Sequence, residues 1–207
     1  STTPGNGGLP SQLGYKGVNY NTDWQDEIYR KTDYVNNNLS LSGTLFDKVP
    51  TRLSLGNTYS EGLRLTDKFN RSTANIALSP SLLKDHLKLN INANYSNERN
   101  RFAPGVEGAA LRFDPTKPVY DPSSPLGGYF EYFDAPGTSL ILGARNPVAQ
   151  LLQTNNNSIV DRIFGNVQLD YKLHFFLFFR AVVNVGYDHS EGAGGTLINK
   201  DAATSGG

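Results

Sequence analysis

Leu87-Lys88-Leu89-Asn90-Ile91-Asn92-Ala93-Asn94-Tyr95-Ser96 alternates apolar and polar residues without a break. In a strand, side chains i and i+2 share a face. This run is therefore a strand with Leu, Leu, Ile, Ala and Tyr on one face and Lys, three Asn and Ser on the other. The same period recurs along the chain. Leu39, Leu41 and Leu45 alternate with Ser40, Ser42 and Thr44. Leu53, Leu55 and Tyr59 alternate with Arg52, Ser54 and Thr58, and Ala74, Ile76 and Leu78 with Thr73, Asn75 and Ser79. Ile163, Val167, Leu169 and Tyr171 alternate with Asn166, Gln168, Asp170 and Lys172. Ala181, Val183, Val185 and Tyr187 alternate with Arg180, Asn184 and Asp188. The chain reads as all-β, with roughly six strands.

The chemistry of the two faces narrows the class. A soluble β-sandwich also alternates, and a soluble sandwich that binds carbohydrate stays open as an alternative. Here, however, the wet face carries mainly Asn, Ser, Thr and Gln. Apolar outward, neutral-polar inward and aromatic at the rim is the pattern of a transmembrane antiparallel β-barrel. Composition agrees. Hydrophobic residues make up 38% and charged residues 18%, both below the usual share of a soluble domain, yet there are 11 Tyr and 11 Phe. That aromatic content argues against a disordered chain. The formal net charge of zero gives no basic surface for nucleic acid. No apolar run is long enough for a membrane-spanning helix. Without cysteine there is neither a disulfide frame nor a thiolate metal site.

The connections carry the organisation. Residues 1–30 read as a Gly/Pro/Asn/Ser-rich loop and a short helix, around Asp23–Tyr29, leading into the barrel. Residues 31–98 form two hairpins with short links at 46–50 and 80–85. Residues 99–158 form one long loop, 159–190 a further hairpin and 191–207 the start of the next loop, with Gly192–Gly195 flexible. Outer-membrane barrels have short periplasmic turns and long extracellular loops. On that rule Tyr59, Tyr95 and Tyr187 all fall at the outward ends of upward strands, as part of one aromatic girdle against outer-membrane lipid. Six strands do not close a barrel, and unpaired edges in hydrocarbon cost several kcal/mol per backbone group. Another polypeptide, or more of the same one, is expected to complete the wall.

At this point the chain resembles a known family. Asn21-Thr22-Asp23-Trp24-Gln25-Asp26-Glu27-Ile28-Tyr29-Arg30 is followed by Asn38-Leu39-Ser40-Leu41-Ser42-Gly43, Tyr59-Ser60-Glu61-Gly62 and Phe69-Asn70-Arg71. Then come Asp114-Pro115-Thr116-Lys117-Pro118-Val119-Tyr120-Asp121-Pro122, Gly128-Tyr129-Phe130-Glu131-Tyr132, Asn146-Pro147-Val148-Ala149-Gln150-Leu151-Leu152 and Arg162-Ile163-Phe164-Gly165-Asn166-Val167-Gln168-Leu169-Asp170-Tyr171. In that order the blocks resemble the barrel part of SusC/RagA-type TonB-dependent transporters. The resemblance implies a 22-stranded barrel in the outer membrane of a Gram-negative, Bacteroidota-type bacterium. It also implies a plug and a TonB-contacting segment outside this stretch. The implied partners are a SusD-like surface lipoprotein and the TonB-ExbB-ExbD complex, and the implied cargo is a glycan or peptide. Phe175-Phe176-Leu177-Phe178-Phe179 departs from the family, which usually has a polar turn there. The stretch reads as a lipid-facing periplasmic rim, or as generic bulky residues standing where a native turn belongs.

Chemistry is sparse. Asp188-His189-Ser190 has the residue types of a hydrolase triad, but strand neighbours point to opposite faces. His86 reads as solvated in a turn. Asp114, Asp121 and Asp134 are oxygen donors whose spacing fits no calcium loop. No catalytic residue, metal site or cofactor is expected. The long loop is the candidate for function, because loops of that length are seldom idle. Within it Tyr120, Tyr129, Phe130, Tyr132 and Phe133 offer flat faces for a sugar ring, a peptide side chain or a partner lid. A structural or adhesive outer-membrane barrel without transport remains the rival reading.

Overall fold

The computed structural model describes residues 13–135, 138–139, 143–176 and 178–205. Residues 1–12 of the expected lead-in loop, and Gly206 and Gly207 of the expected final loop, lie outside the described residues. Six long strands form one antiparallel sheet: β1 (Tyr34–Leu45), β2 (Val49–Glu61), β3 (Lys68–Leu78), β5 (Leu87–Phe102), β8 (Thr154–Lys172) and β9 (Arg180–Ile198). They pair in chain order, and the short β4 (Ser81–Leu82) adds to the start of β5. A small hairpin, β6 (Phe133–Ala135) with β7 (Thr138–Ser139), stands apart. Among the described residues no helix is long and apolar enough to cross a membrane, a test that does not bear on strands.

The register turns the alternation into two continuous surfaces. One row runs Leu41, Leu53, Ile76, Ala93, Gly165, Tyr187 across all six strands. The neighbouring row runs Ser54, Asn75, Asn94, Phe164, Asp188 on the opposite face. A one-residue slip of any strand would move its Leu and Ile residues onto the Asn side, so the register is strongly set. Leu41 is 56% exposed, Ile163 51% and Val185 62%. The buried core lies elsewhere: it comprises Trp24, Ile28, Ala103, Val106, Ala110, Phe113, Val119, Phe130, Tyr132, Val148 and Leu151, none of them in the six strands. In a soluble sandwich a second layer would cover the apolar face. Here it is bare across the sheet, as in a barrel wall that meets hydrocarbon.

Strand ends depart from the sequence expectation in three places, the first being β8, which begins at Thr154 inside the expected loop. Strand β5 continues to Phe102, so the long insertion begins at 103. Strand β9 continues to Ile198, and Gly192–Gly195 is strand rather than flexible loop. Its partner imposes this: Val160 to Asn157 of β8 pair residue by residue with Gly192 to Gly195. Around the Phe-rich turn, Leu173 N donates to Phe179 O at 3.2 Å, and Phe175 and Phe178 are almost fully exposed. Leu177 lies outside the described residues.

The two faces predict unequal tolerance to charge. In a barrel holding this wall, Ile91→Arg should cost about 2–4 kcal/mol in urea unfolding from lipid vesicles. Asn92→Arg, one residue on and facing the other way, should cost under about 1 kcal/mol. Equal costs would contradict the assignment of faces.

Candidate functional site

At the strand ends away from the short turns, the described residues of 103–153 fold with residues 13–30 into a cap. Helix α1 (Trp24–Ile28) starts at Asp23, whose carboxylate accepts from Gln25 N at 3.0 Å and Asp26 N at 3.2 Å. Trp24 and Ile28 point inward from it, and Trp24 packs on Phe113 with ring centroids 4.5 Å apart. Helix α2 (Glu107–Ala110) buries Ala110. Helix α3 (Pro147–Gln153) buries Val148 and Leu151, with Asn146 as N-cap and Pro147 in the first turn, where its missing N–H costs nothing.

Asn146 is the joint of the cap. It is fully buried, and its Oδ1 accepts from Val148 N and Ala149 N. Its Nδ2 donates to Val119 O at 2.8 Å and Phe130 O at 3.1 Å, and its backbone N–H donates to Glu131 Oε1 at 2.9 Å. One side chain thus fastens α3 to both arms of the segment that carries Tyr120 and Tyr129. The lead-in segment crosses the same region: Tyr15 Oη donates to Asp121 Oδ2 at 2.6 Å, and Lys16 Nζ lies 3.1 Å from Asp121 Oδ1. Fully buried Lys117 donates to Gly14 O at 2.7 Å.

The cap is stapled to the wall through the β2–β3 connection. Arg30 donates to Gly62 O and Asp67 O and lies 3.3 Å from Glu61, while Arg64 donates to Pro104 O. The cap therefore cannot swing without breaking charge-assisted bonds.

The five loop aromatics separate by environment. Phe130 is 1% exposed and Tyr132 is 4% exposed, both inside the core. The expectation that they meet a ligand is corrected: they fill the cap, packing on each other and on Phe113. Phe133 is half-buried. Tyr120 and Tyr129 face each other across an isolated bridge, centroids 5.3 Å apart, with Tyr120 56% exposed. The tight return between them uses Gly127 and Gly128 at φ of 70° and 80°. Of the five, Tyr120 is the exposed ring; Tyr129, like Phe133, is half-buried and packs against the core.

The cap's titratable groups are structural. Burial alone would raise Asp121, but bonds from Tyr15, Ser123 and Lys16 outweigh it and hold the carboxyl at about 2. Burial pushes Glu131 up to about 7, against the Asn146 N–H bond and the Arg145 guanidinium 4.0 Å away. Its Oε2 is buried with no hydrogen-bond partner among the described residues. Burial also raises Tyr132. Asp114 accepts from Thr116 and is ion-paired with Lys117, so neither it nor Asp121 offers free oxygens, and the side chain of Asp134 lies outside the described residues. Among the described residues no three metal-ligating side chains cluster.

Below the cap, the polar face is a lattice of amides. Asn75 donates to Asn94, Asn90 to Gln168 at 3.3 Å, Asn92 to Asn166 at 3.3 Å and Asn166 to Asn184 at 3.3 Å. Ser40 and Ser54 are 2.9 Å apart. Near its outer end is an open cleft of about 540 Å³ lined by Ser96, Glu98, Val160, Arg162, Asp188 and Ser190. Arg162 grips Asp188 with two bonds of 2.9 and 2.5 Å. His189 is on the other face and stacks beside Tyr187, so Asp188, His189 and Ser190 do not converge.

Tyr59, Tyr95 and Tyr187 share the apolar face. Directly across from Tyr59 on β5 is Arg99, four residues past Tyr95. Directly across from Tyr95 on β9 is His189, two residues past Tyr187. The row thus slides six residues in one sense over four strand steps. At ~3.3 Å per residue and ~4.8 Å per strand, that slide matches a strand tilt of roughly 45°. In a wall tilted by that angle in the matching sense, Tyr59 and Tyr187 stand at one height and Tyr95 within about one residue of it.

No family model matches the chain. It is 38% identical over 205 residues to the TonB-dependent receptor SusC of Bacteroides thetaiotaomicron, covering 92% of this chain and 20% of that protein. It is 25% identical over 175 residues to the TonB-dependent receptor P26 of Formosa agariphila, covering 83% of this chain and 16% of that protein. The chain thus spans a fifth or less of the curated relatives it matches.

Two outcomes test the cap. Asn146→Ala should destabilise it by about 3 kcal/mol through the lost N-cap and two stranded carbonyls, read as faster protease nicking within 103–153 while the strands stay protected. The raised Glu131 means that the folded cap binds a proton the unfolded chain has released between about pH 4.5 and 7. Stability should fall as pH rises through that window, by up to about 3 kcal/mol, and Glu131→Gln should flatten the dependence in a melting series from pH 5 to 8.

Proposed function

Taking as premise that this chain belongs to the SusC-type TonB-dependent receptors, we propose that it is wall and outer cap of a transporter importing oligosaccharides or oligopeptides across the outer membrane of a Bacteroidota-type bacterium. The observation that carries this reading is the pair of continuous faces. Six paired strands present bare Leu, Ile and Val on one side and a hydrogen-bonded amide lattice on the other. The first is a surface for lipid and the second a lining for water. The protein makes and breaks no bond; it supplies a wet path through hydrocarbon.

In this reading the wall is part of a barrel of about 22 strands. The path is gated by a plug and energised by TonB-ExbB-ExbD through segments outside this stretch. A SusD-like lipoprotein sits over the outer end, where the cap presents Tyr120 and Tyr129. A rigid, half-open aromatic pair suits a sugar ring or an apolar side chain of a lid. The tyrosines at 59, 95 and 187 meet the lipid headgroups.

The experiment is uptake by whole cells. A receptor lacking residues 103–153 should still insert and run as a folded barrel on unheated gels, but lose capture of cargo or lid. Tyr120→Ala with Tyr129→Ala should weaken lid or cargo binding about tenfold with insertion unchanged. Undiminished uptake by the truncated receptor would rule out capture by the cap. Insertion with no uptake of any solute by the intact receptor would favour an adhesive barrel.

A further inference from the structure

The three upward strands carry a second registered feature. Seven residues before each girdle tyrosine stands a cation: Arg52 before Tyr59, Lys88 before Tyr95 and Arg180 before Tyr187. An odd spacing puts the cation on the face opposite the tyrosine, so all three lie on the polar side of the wall. At the tilt given above the cations, like the tyrosines, stand within about one residue of a common height, about 16 Å nearer the short turns. Lys172, directly across the ladder from Arg180, joins them on the same face.

The group is not neutralised locally. Asp170 pairs with Arg180, Nε to Oδ1 at 2.6 Å, and faces Lys88 across the ladder. That leaves four cations against one carboxylate. Among the described residues neither Arg52 nor Lys88 has an ion pair. The turns just beyond carry both signs, Asp47 and Asp85 with Lys48 and Lys84, so the excess belongs to the face itself. Above it, the amides at Asn90, Asn92, Asn94, Gln168 and Asn184 carry no charge, so nothing there offsets the field. Like charges gathered beside a low-dielectric wall focus their field into the adjoining water.

We infer that Arg52, Lys88, Lys172 and Arg180 form a cationic collar at the turn-side mouth of the lumen, which binds anionic groups of the carboxylate or sulfonate type on a passing solute. The inference rests on the reading of the polar face as the lumen lining, and it sharpens the cargo to solutes that carry acidic groups. Rings of Arg and Lys set anion preference in other pores by the same physics.

The test uses the full-length receptor in lipid vesicles with Asn90→Cys as its one reactive thiol, on the same face as Lys88 and two residues away. The probes are two thiol reagents of similar size, anionic sulfonatoethyl methanethiosulfonate and its cationic trimethylammonium analogue. The collar predicts that the anionic reagent gains over the cationic one. The ratio of their rates should fall about tenfold in Arg52→Gln/Lys88→Gln/Arg180→Gln, and in the unsubstituted collar when salt is raised. Should the triple variant fail to run as a folded barrel, Lys88→Gln alone should lower the ratio by a smaller factor. A ratio unmoved by neutralisation or salt overturns the collar and leaves the lumen reading standing. If neither reagent reacts while a lipid-soluble maleimide does, the polar face is not wet, and the lumen reading fails with it.

Discussion

Every strand of this wall depends on hydrogen bonding along both of its edges. In hydrocarbon there is no water to accept an unpaired N–H or donate to an unpaired C=O, and each such group costs several kcal/mol. Strands β2, β3, β5 and β8 satisfy this within the chain, each paired on both sides. Strands β1 and β9 have one neighbour apiece. The sheet is therefore stable in lipid only as part of a longer wall, in keeping with relatives roughly five times its length. Side chains then decide which way the wall faces, and the period of two allows no mixed answer.

The same constraint explains why the molecule divides its hydrophobicity. Leu39, Leu55 and Val185 lie bare on the wall, because lipid is their solvent. The residues that do form a packed core are gathered above the wall, around Trp24, Phe113, Phe130 and Leu151. That cap is held as water-soluble proteins are, by a buried N-cap and by aromatic packing. It is tied to the wall through Arg30 and Arg64 at the β2–β3 connection. These ties hold the cap, with the exposed Tyr120, in a fixed position on the wall.

The sequence made the wall legible because alternation is a local signal. The run at 87–96 and its counterparts identify six strands and assign both faces. It was less informative where structure is non-local. Gly192–Gly195 has poor strand propensity, yet pairing with Asn157–Val160 extends β9 through it. Phe130 and Tyr132 have no periodic context in the loop, so nothing local distinguishes them from Tyr120 and Tyr129. Burial by partners such as Trp24, Phe113 and Val148 makes the difference. The bond from Tyr15 to Asp121 spans more than a hundred residues and leaves no local trace. Asn146 does carry a local signal, since Asn before Pro at a helix start marks an N-cap. The spacing of seven from Arg or Lys to Tyr was present in three strands, but it acquires meaning only when the register sets the strands side by side.

The most direct test of the account is a scan of solvent along one central strand. Spin labels placed singly at positions 88 to 95 of β5, in the full-length receptor in lipid bilayers, report collisions with oxygen from the lipid and with a nickel chelate from water. The two-faced wall requires strict alternation: oxygen access high at 89, 91, 93 and 95, chelate access high at 88, 90, 92 and 94. Low access to both agents along the whole strand, as between two packed protein layers, would contradict it.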